Sequence, residues 1–510
     1  MSSLSSLSSS PLLLLALGSL LLFWIGVRVQ RLYRHDLRNI PGPFLAKISG
    51  LYRLSMVGGG KGPAEYRKLH QQYGPIVRVG PNHVAVSDPA AIPVIYGLGS
   101  KYMKTEFYKT MVPSYDGVAI DSMFTARDPA IHKALKTPVA SLFAMSNMHN
   151  YEPYVDECTQ LFVDAMRDLE GQTVDLAIWL QWYAFDVIAG LTFQRRFGFL
   201  EQRKDVNNMI KQLDEGLDAV KVLGQYPVLD TPIKAVLRQL QPLLGGYDPL
   251  IKFVDICKDE ITRYDDSAKG TKRTDFLSQL RQREAKLVSA NPKGDVRGEI
   301  LNHLSNNLLA GSDTTAISLR SCFYYLIKTP RVLEKLRQLL DQQERDGRIS
   351  SPITLEESLQ MPYLQAIMKE ATRLHPGVGF PLERSVPSEG ATLCGFPLVA
   401  GTNVSMMAPV VQVDPDVFGE DSQEFRPERW LDSDPEQLKL MERSMLVFGH
   451  GARTCIGKNI SIMEMGKFIP QILQTFDLEW ASKNPEWNTN AAWFWKQTDM
   501  QVKFKARRRS

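Results

Sequence analysis

Ten residues near the end of the chain, Phe448-Gly-His-Gly-Ala-Arg-Thr-Cys-Ile-Gly457, constrain its fold more than any other stretch. Glycines at 449, 451 and 457 deny the segment a regular helix or strand. They also let its backbone approach a large, flat partner closely. Cys455 sits among them, and a thiolate is a strong ligand for iron. In Lys458 to Leu473, residues Ile460, Met463, Ile469, Ile472 and Leu473 form an apolar stripe that predicts a helix. Cys455 then lies near a helix N-terminus, where the dipole favours the thiolate. Taken alone, a cysteine in this setting is more often a buried free thiol beside a turn.

The pattern F-G-x-G-x-R-x-C-x-G resembles the haem-binding loop of cytochrome P-450 enzymes. The resemblance puts the iron ligand on Cys455 and adds Phe448, Gly449, Arg453 and Gly457 as cofactor contacts. His450, the alternative ligand by chemistry, falls on a variable position of the motif. A second motif lies in a long helix expected over 296–327, where Leu301, Leu304, Leu308 and Ile317 form an apolar stripe. Inside it, Ala310-Gly-Ser-Asp-Thr-Thr315 breaks helix preference with a glycine and adjacent threonines. It is similar to the family's oxygen-activation motif. That similarity implies a small residue against which dioxygen and substrate lie, with Asp313 and Thr314 relaying protons. The competing reading is a kinked core helix whose threonine bonds back to the preceding turn.

A helix is expected over 363–375, with Leu364, Ile367, Ala371 and Leu374 on one side and Glu370 and Arg373 sharing another. By itself such a pair is usually a weak surface salt bridge. The family's E-x-x-R packs under the haem, and Phe425-Arg-Pro-Glu-Arg-Trp430 resembles its partner segment. The implied structural triad is Glu370, Arg373 and Arg429. Asp128-Pro129 can cap a further helix that puts His132 and Lys136 on one face. The family holds a haem propionate here with arginine where this chain has Lys136. Arg384 falls where the family offers an arginine to a propionate. Residues 111–127 and the lid-like stretch 205–250 match substrate-contact regions. Ala491 to Gln497 is aromatic enough to form either a last pocket wall or a core hairpin.

Composition restricts the wider setting. The 510 residues carry a net charge of only +4, which gives no electrostatic case for nucleic acid. Five scattered cysteines with no paired spacing fit a reducing compartment. Leu12 to Val27 is almost wholly apolar, and Arg28, Arg31, Arg34 and Arg38 follow it. An uncleaved anchor across a thin bilayer is expected, with the body on the cytosolic side. A cleaved signal peptide is disfavoured because residues 1–11 lack a charged start. The expected organisation is a lumenal N-terminus at 1–11, a transmembrane anchor at 12–29, a basic and proline-rich hinge at 30–45 and a catalytic domain at 46–510. Asp265 to Thr274 reads as a polar, exposed loop.

Gly80-Pro-Asn-His-Val84, Gln181-Trp-Tyr-Ala-Phe-Asp186 and Phe193-Gln-Arg-Arg-Phe-Gly198 resemble the fungal pisatin demethylase-like branch. The chain is identified as a member of this haem-thiolate family, of the fungal microsomal type. The implied fold is mainly α, a triangular body with small β-sheets behind an N-terminal transmembrane helix. The implied cofactor is haem b. The implied activity is insertion of one oxygen atom from dioxygen into a lipophilic small molecule of secondary metabolism. The implied partners are NADPH-cytochrome P-450 reductase, docked on a basic face around Arg453 and Lys458, and the endoplasmic reticulum membrane. Two other functions stay open: oxidative rearrangement or ring expansion, and haem binding without catalysis.

Overall fold

The stretch expected to form a long helix does so over Val296–Lys328, and the other major helices pack around it. This is a computed structural model, and it describes residues 36–508 except 116–117, 245–250, 268–272, 286 and 288–295, with scattered residues between 18 and 30. Helix Leu176–Phe193 makes the most extensive contact with the long helix. It is apolar on nearly every face, as a helix enclosed on all sides must be. Among the described residues it alone is long and apolar enough to cross a membrane, yet 89% of it is buried in the protein. It is a core helix.

Helix Lys458–Thr475 packs on the long helix as well. Its Phe468 ring meets Phe162, Tyr183 and Phe323 from three neighbouring helices, in edge-to-face and tilted contacts. The strands are few and short. The largest sheet runs Ile76–Gly80, His83–Val86, Asn403–Met406, Leu382–Ser385, Met103–Lys104, with one parallel pair, His83–Val86 against Asn403–Met406. The protein is therefore mainly helical with small sheets.

Most of the expected anchor lies outside the described residues, together with Arg28, Arg31 and Arg34. So does the middle of the polar loop 265–274. The end of the expected hinge lies against the body. Leu37 and Ile40 are fully buried against the sheet, and Arg78 N donates to Pro41 O at 2.7 Å. A Cβ on Gly42 would stand 2.4 Å from Arg78 O. Backbone docking thus makes residues 37–43 part of the body.

Glu370 on helix Pro362–Leu374 is wholly buried with Arg373 and Arg429. Arg373 makes a two-pronged contact, with Nε on Oε2 and Nη2 on Oε1, each at 2.8 Å. Arg429 Nε donates to Oε1 at 2.7 Å and Trp430 Nε1 to Oε2 at 2.9 Å. The arginines keep further hydrogens for the backbone: Arg373 Nη1 donates to Gln412 O at 2.7 Å. Gln412 carries the connection onward, since its Oε1 accepts from Leu446 N at 2.7 Å. Leu446 O accepts from Gly449 N at 2.9 Å, which reaches the Cys455 loop. Nothing in the sequence pointed to Gln412. Removing one partner of a buried pair leaves uncompensated charge. Glu370→Ala should therefore lower stability by about 3–5 kcal/mol in equilibrium urea unfolding; a loss below about 1 kcal/mol would contradict that reading.

Candidate active site

The glycine-rich loop is built by its own backbone. Cys455 N donates to Phe448 O at 2.7 Å and Thr454 N to Gly451 O at 3.1 Å. Gly451 has φ +62, and a Cβ there would lie 2.1 Å from Tyr96 O, so only glycine fits. Gly457 caps helix Lys458–Thr475. Phe448, Gly449, Arg453, Cys455 and Gly457 all face one cavity of about 1140 Å³ between this loop and the long helix. That volume exceeds the usual range for a single drug-sized ligand. Cys455 is the one cysteine among the described residues that lines it. His450 does not line it.

The Cys455 side chain is open to the cavity but enclosed by the protein, and burial pushes its thiol pKa up. The backbone N–H groups of Gly457 and Lys458 and the charges of Lys136 and Lys458 pull it down, without winning. The helix terminus favours the thiolate as expected, through the N–H groups of Gly457 and Lys458, and burial opposes it. A thiolate here calls for a bound metal cation, which deprotonates a coordinating thiol outright.

Cations collect at one edge of the cavity. Lys104, His132, Lys136 and Arg453 line it. Burial, then Arg384 and Arg453, holds Lys104 well below its ordinary pKa. Burial and Arg384 bring Arg453 down to about 10. Burial and the neighbouring Arg453, Lys136 and Lys104 bring His132 to about 4. None of these groups is ion-paired with a carboxylate among the described residues. Lys104 and His132 are buried and Lys136 and Arg453 half-buried, and such a set of cations and a ring N–H donor fits an anionic ligand edge. Haem satisfies both demands, with iron for Cys455 and two carboxylates for the cations, so the residues present fit it.

Helix Pro129–Lys136 starts as expected, with Asp128 Oδ1 accepting from Ala130 N at 2.7 Å. Lys136 Nζ ties that helix to the loop through Ala452 O at 3.1 Å. Arg453 turns inward and donates to Ala126 O at 2.7 Å, so it is not part of an outer docking face. Arg384 is also placed differently from its expectation. It does not line the cavity; Nη1 donates to Glu383 O at 2.8 Å, and its guanidinium covers the Tyr96 ring. Lys104, in front of it, takes the cavity-facing position. Its two-residue strand carries no motif, which is why sequence reasoning missed it.

On the long helix, Ala310, Gly311, Thr314 and Thr315 line the cavity, and Asp313 does not. Thr314 Oγ1 donates to Ala310 O at 2.8 Å, the back-bond of the competing reading. Gly311 is needed for packing as much as for space, because a Cβ there would meet Ile188 Cδ1 at 2.6 Å. Asp313 is fully buried on the far side. Its Oδ1 accepts from Gln181 Nε2, and its Oδ2 pairs with Lys496 Nζ at 2.8 Å. Lys496 also meets Asp214 of helix Met209–Leu223. Of the pair expected to relay protons, the alcohol thus faces the cavity, while helix phase and an ion pair hold the acid behind it.

Ile188, Leu309, Phe380 and Leu382 give the walls an apolar character. The 491–497 stretch does both things expected of it. Trp493 and Phe494 face the cavity, while Trp495 stacks on His375 outside it at 3.8 Å.

The sequence pattern of the family described as Cytochrome P-450 matches residues 42–504. The chain is 37% identical over 493 residues to the cytochrome P-450 monooxygenase cicH of Emericella nidulans, covering 95% of this chain and 97% of that one. A cytochrome P-450 monooxygenase of Aspergillus terreus is 39% identical over 456 residues, covering 87% and 90%. Pisatin demethylase of Fusarium vanettenii is 36% identical over 472 residues, covering 90% and 87%. With the thiol, the cation edge and the threonine already facing one cavity, these matches leave one conclusion: the chain belongs to the cytochrome P-450 family and is a haem-thiolate monooxygenase.

Proposed function

We propose that the chain oxygenates a lipophilic small molecule of fungal secondary metabolism in the cavity between Cys455 and Thr314. The observation that carries this reading is Cys455, the one cavity-facing cysteine among the described residues, opposite the stretch of the long helix that bears Thr314. Cys455 would hold the haem iron through its thiolate. Phe448, Gly449 and Gly457 would leave room against the cofactor face, Lys104, Lys136 and Arg453 would neutralise its carboxylates, and His132 would donate a hydrogen bond to one of them. Thiolate-bound haem supplies activation of dioxygen.

This chain's residues govern protons, water and substrate. Thr314 Oγ1 is held toward the cavity by its bond to Ala310 O and is the group placed to pass a proton there. Asp313 returns a proton to it from behind, once it has parted from Lys496 and taken up that proton from water. Trp493, Phe494 and Phe380 exclude water and favour apolar substrate.

Electrons come from NADPH-cytochrome P-450 reductase. With Arg453 turned inward, the exposed cations beside the loop are Lys133 and Lys458, and these serve its acidic surface. The apolar run 12–29 anchors the chain in the endoplasmic reticulum membrane, with residues 46–510 cytosolic. Exposed Phe44, Leu45 and Leu51 support a membrane-facing side, as do Val228 and Leu229 after the adjoining helix Met209–Leu223.

Thr314→Ala should leave NADPH consumption running while product formed per NADPH falls by about tenfold and peroxide rises. Unchanged coupling would remove Thr314 from the proton path. Lys104→Met should weaken haem retention by about tenfold, read as haem content after gel filtration, from the loss of one charged contact. Full retention would mean that Lys104 does not hold a carboxylate.

A further inference from the structure

The long helix presents a stripe to the cavity that changes character along its length. His303, Asn307, Ala310 and Thr314 follow one another at helical spacing, and all line the cavity. Near Thr314 the stripe is small and apolar. At the other end stands His303, eleven residues before Thr314 and therefore about 16 Å away along the axis. Asn307, between them, is already satisfied, since its Nδ2 donates to Thr192 Oγ1 at 2.8 Å. His303 is not. It is 3% exposed, and its Nε2 has no hydrogen-bond partner.

Buried polar atoms are nearly always partnered, so an orphaned imidazole nitrogen on a cavity wall needs an explanation. We propose that His303 is a specificity-determining residue, which hydrogen-bonds an uncharged oxygen on the substrate end remote from the oxidised carbon. This rests on the haem-thiolate reading of the cavity, and it adds a substrate class: elongated, apolar along its length, with a hydroxyl, phenol or carbonyl at the far end. The neutral character follows from the surroundings. Burial brings the imidazole pKa to about 4, and no charged side chain contributes to that shift. The ring is thus neutral at physiological pH, with one donor and one acceptor nitrogen. The neutral ring itself offers a carboxylate or an ammonium no compensating charge.

The proposal is tested by spectral titration of the holoenzyme with two series of N-alkylimidazoles, one ending in methyl and one in hydroxyl. Chains run from about six to about fourteen carbons, bracketing the helical distance. The azole reports its own binding through the Soret band, so turnover is not needed. In the wild type, the hydroxyl series should bind about tenfold tighter than the methyl series at one chain length and equally at the shortest. An ω-carboxylate series should gain nothing. In His303→Leu the hydroxyl advantage should fall below about twofold while methyl-ended probes bind as before, and His303→Asn should restore part of it. The same advantage in His303→Leu, or none at any length in the wild type, overturns the proposal. The wild-type length series decides even if the leucine variant does not fold. Failure of every azole to shift the wild-type Soret band would overturn the underlying haem reading instead.

Discussion

A carboxylate with no water around it holds the proximal half of this protein together. Glu370 takes hydrogen bonds on both oxygens from Arg373, one turn along its own helix, and from Arg429 and Trp430, about sixty residues away in sequence. Buried ion pairs give little net stability but strongly penalise any arrangement that leaves one member alone. That penalty specifies geometry. The chain must bring residue 370 to residue 429 and keep Gln412 between Arg373 and Leu446. Once those bonds are made, the loop bearing Cys455 starts from a fixed point. Its glycines then allow one path only, with Gly451 pressed on the Tyr96 carbonyl.

The cavity above that loop is organised by opposite kinds of imbalance. At one edge, lysine, histidine and arginine are buried with no counter-ion, a costly arrangement unless an anion joins them. At the floor, burial opposes the thiolate of Cys455, and a metal cation would offset that cost. Haem brings both charges at once, so cofactor binding and site completion are one event. The acid of the long helix is kept out of this ledger by its pairing with Lys496. Because Lys496 also meets Asp214 on helix Met209–Leu223, the state of the acid is tied to a cavity-lining helix.

Local pattern made the principal elements legible. The apolar stripe and broken propensities of 296–328, the Asp128-Pro129 start and the glycine spacing around Cys455 all appear in the structure as spacing alone suggested. Family resemblance joined Glu370 to Arg429, which no local rule could do across that separation. What stayed hidden depends on contacts between distant segments. Lys104 sits on a two-residue strand without pattern, and its Nζ is held by the Phe124 carbonyl and the rings of Tyr108 and Phe124. Asp313 reads as an active-site acid until Gln181 and Lys496 are seen to face it from two other elements. Arg453 reads as a surface cation until the carbonyl of Ala126 is found beside it. Charge, in each case, was visible; direction was not.

Ligation of haem iron by Cys455 is the claim on which the others rest. The most direct measurement is the absorption spectrum of the reduced, carbon-monoxide-bound protein beside that of Cys455→Ala. A strongly red-shifted Soret band in the wild type, lost in the variant, is the predicted result. An ordinary, imidazole-like band in the wild type, or a red-shifted band that survives the substitution, would contradict the account.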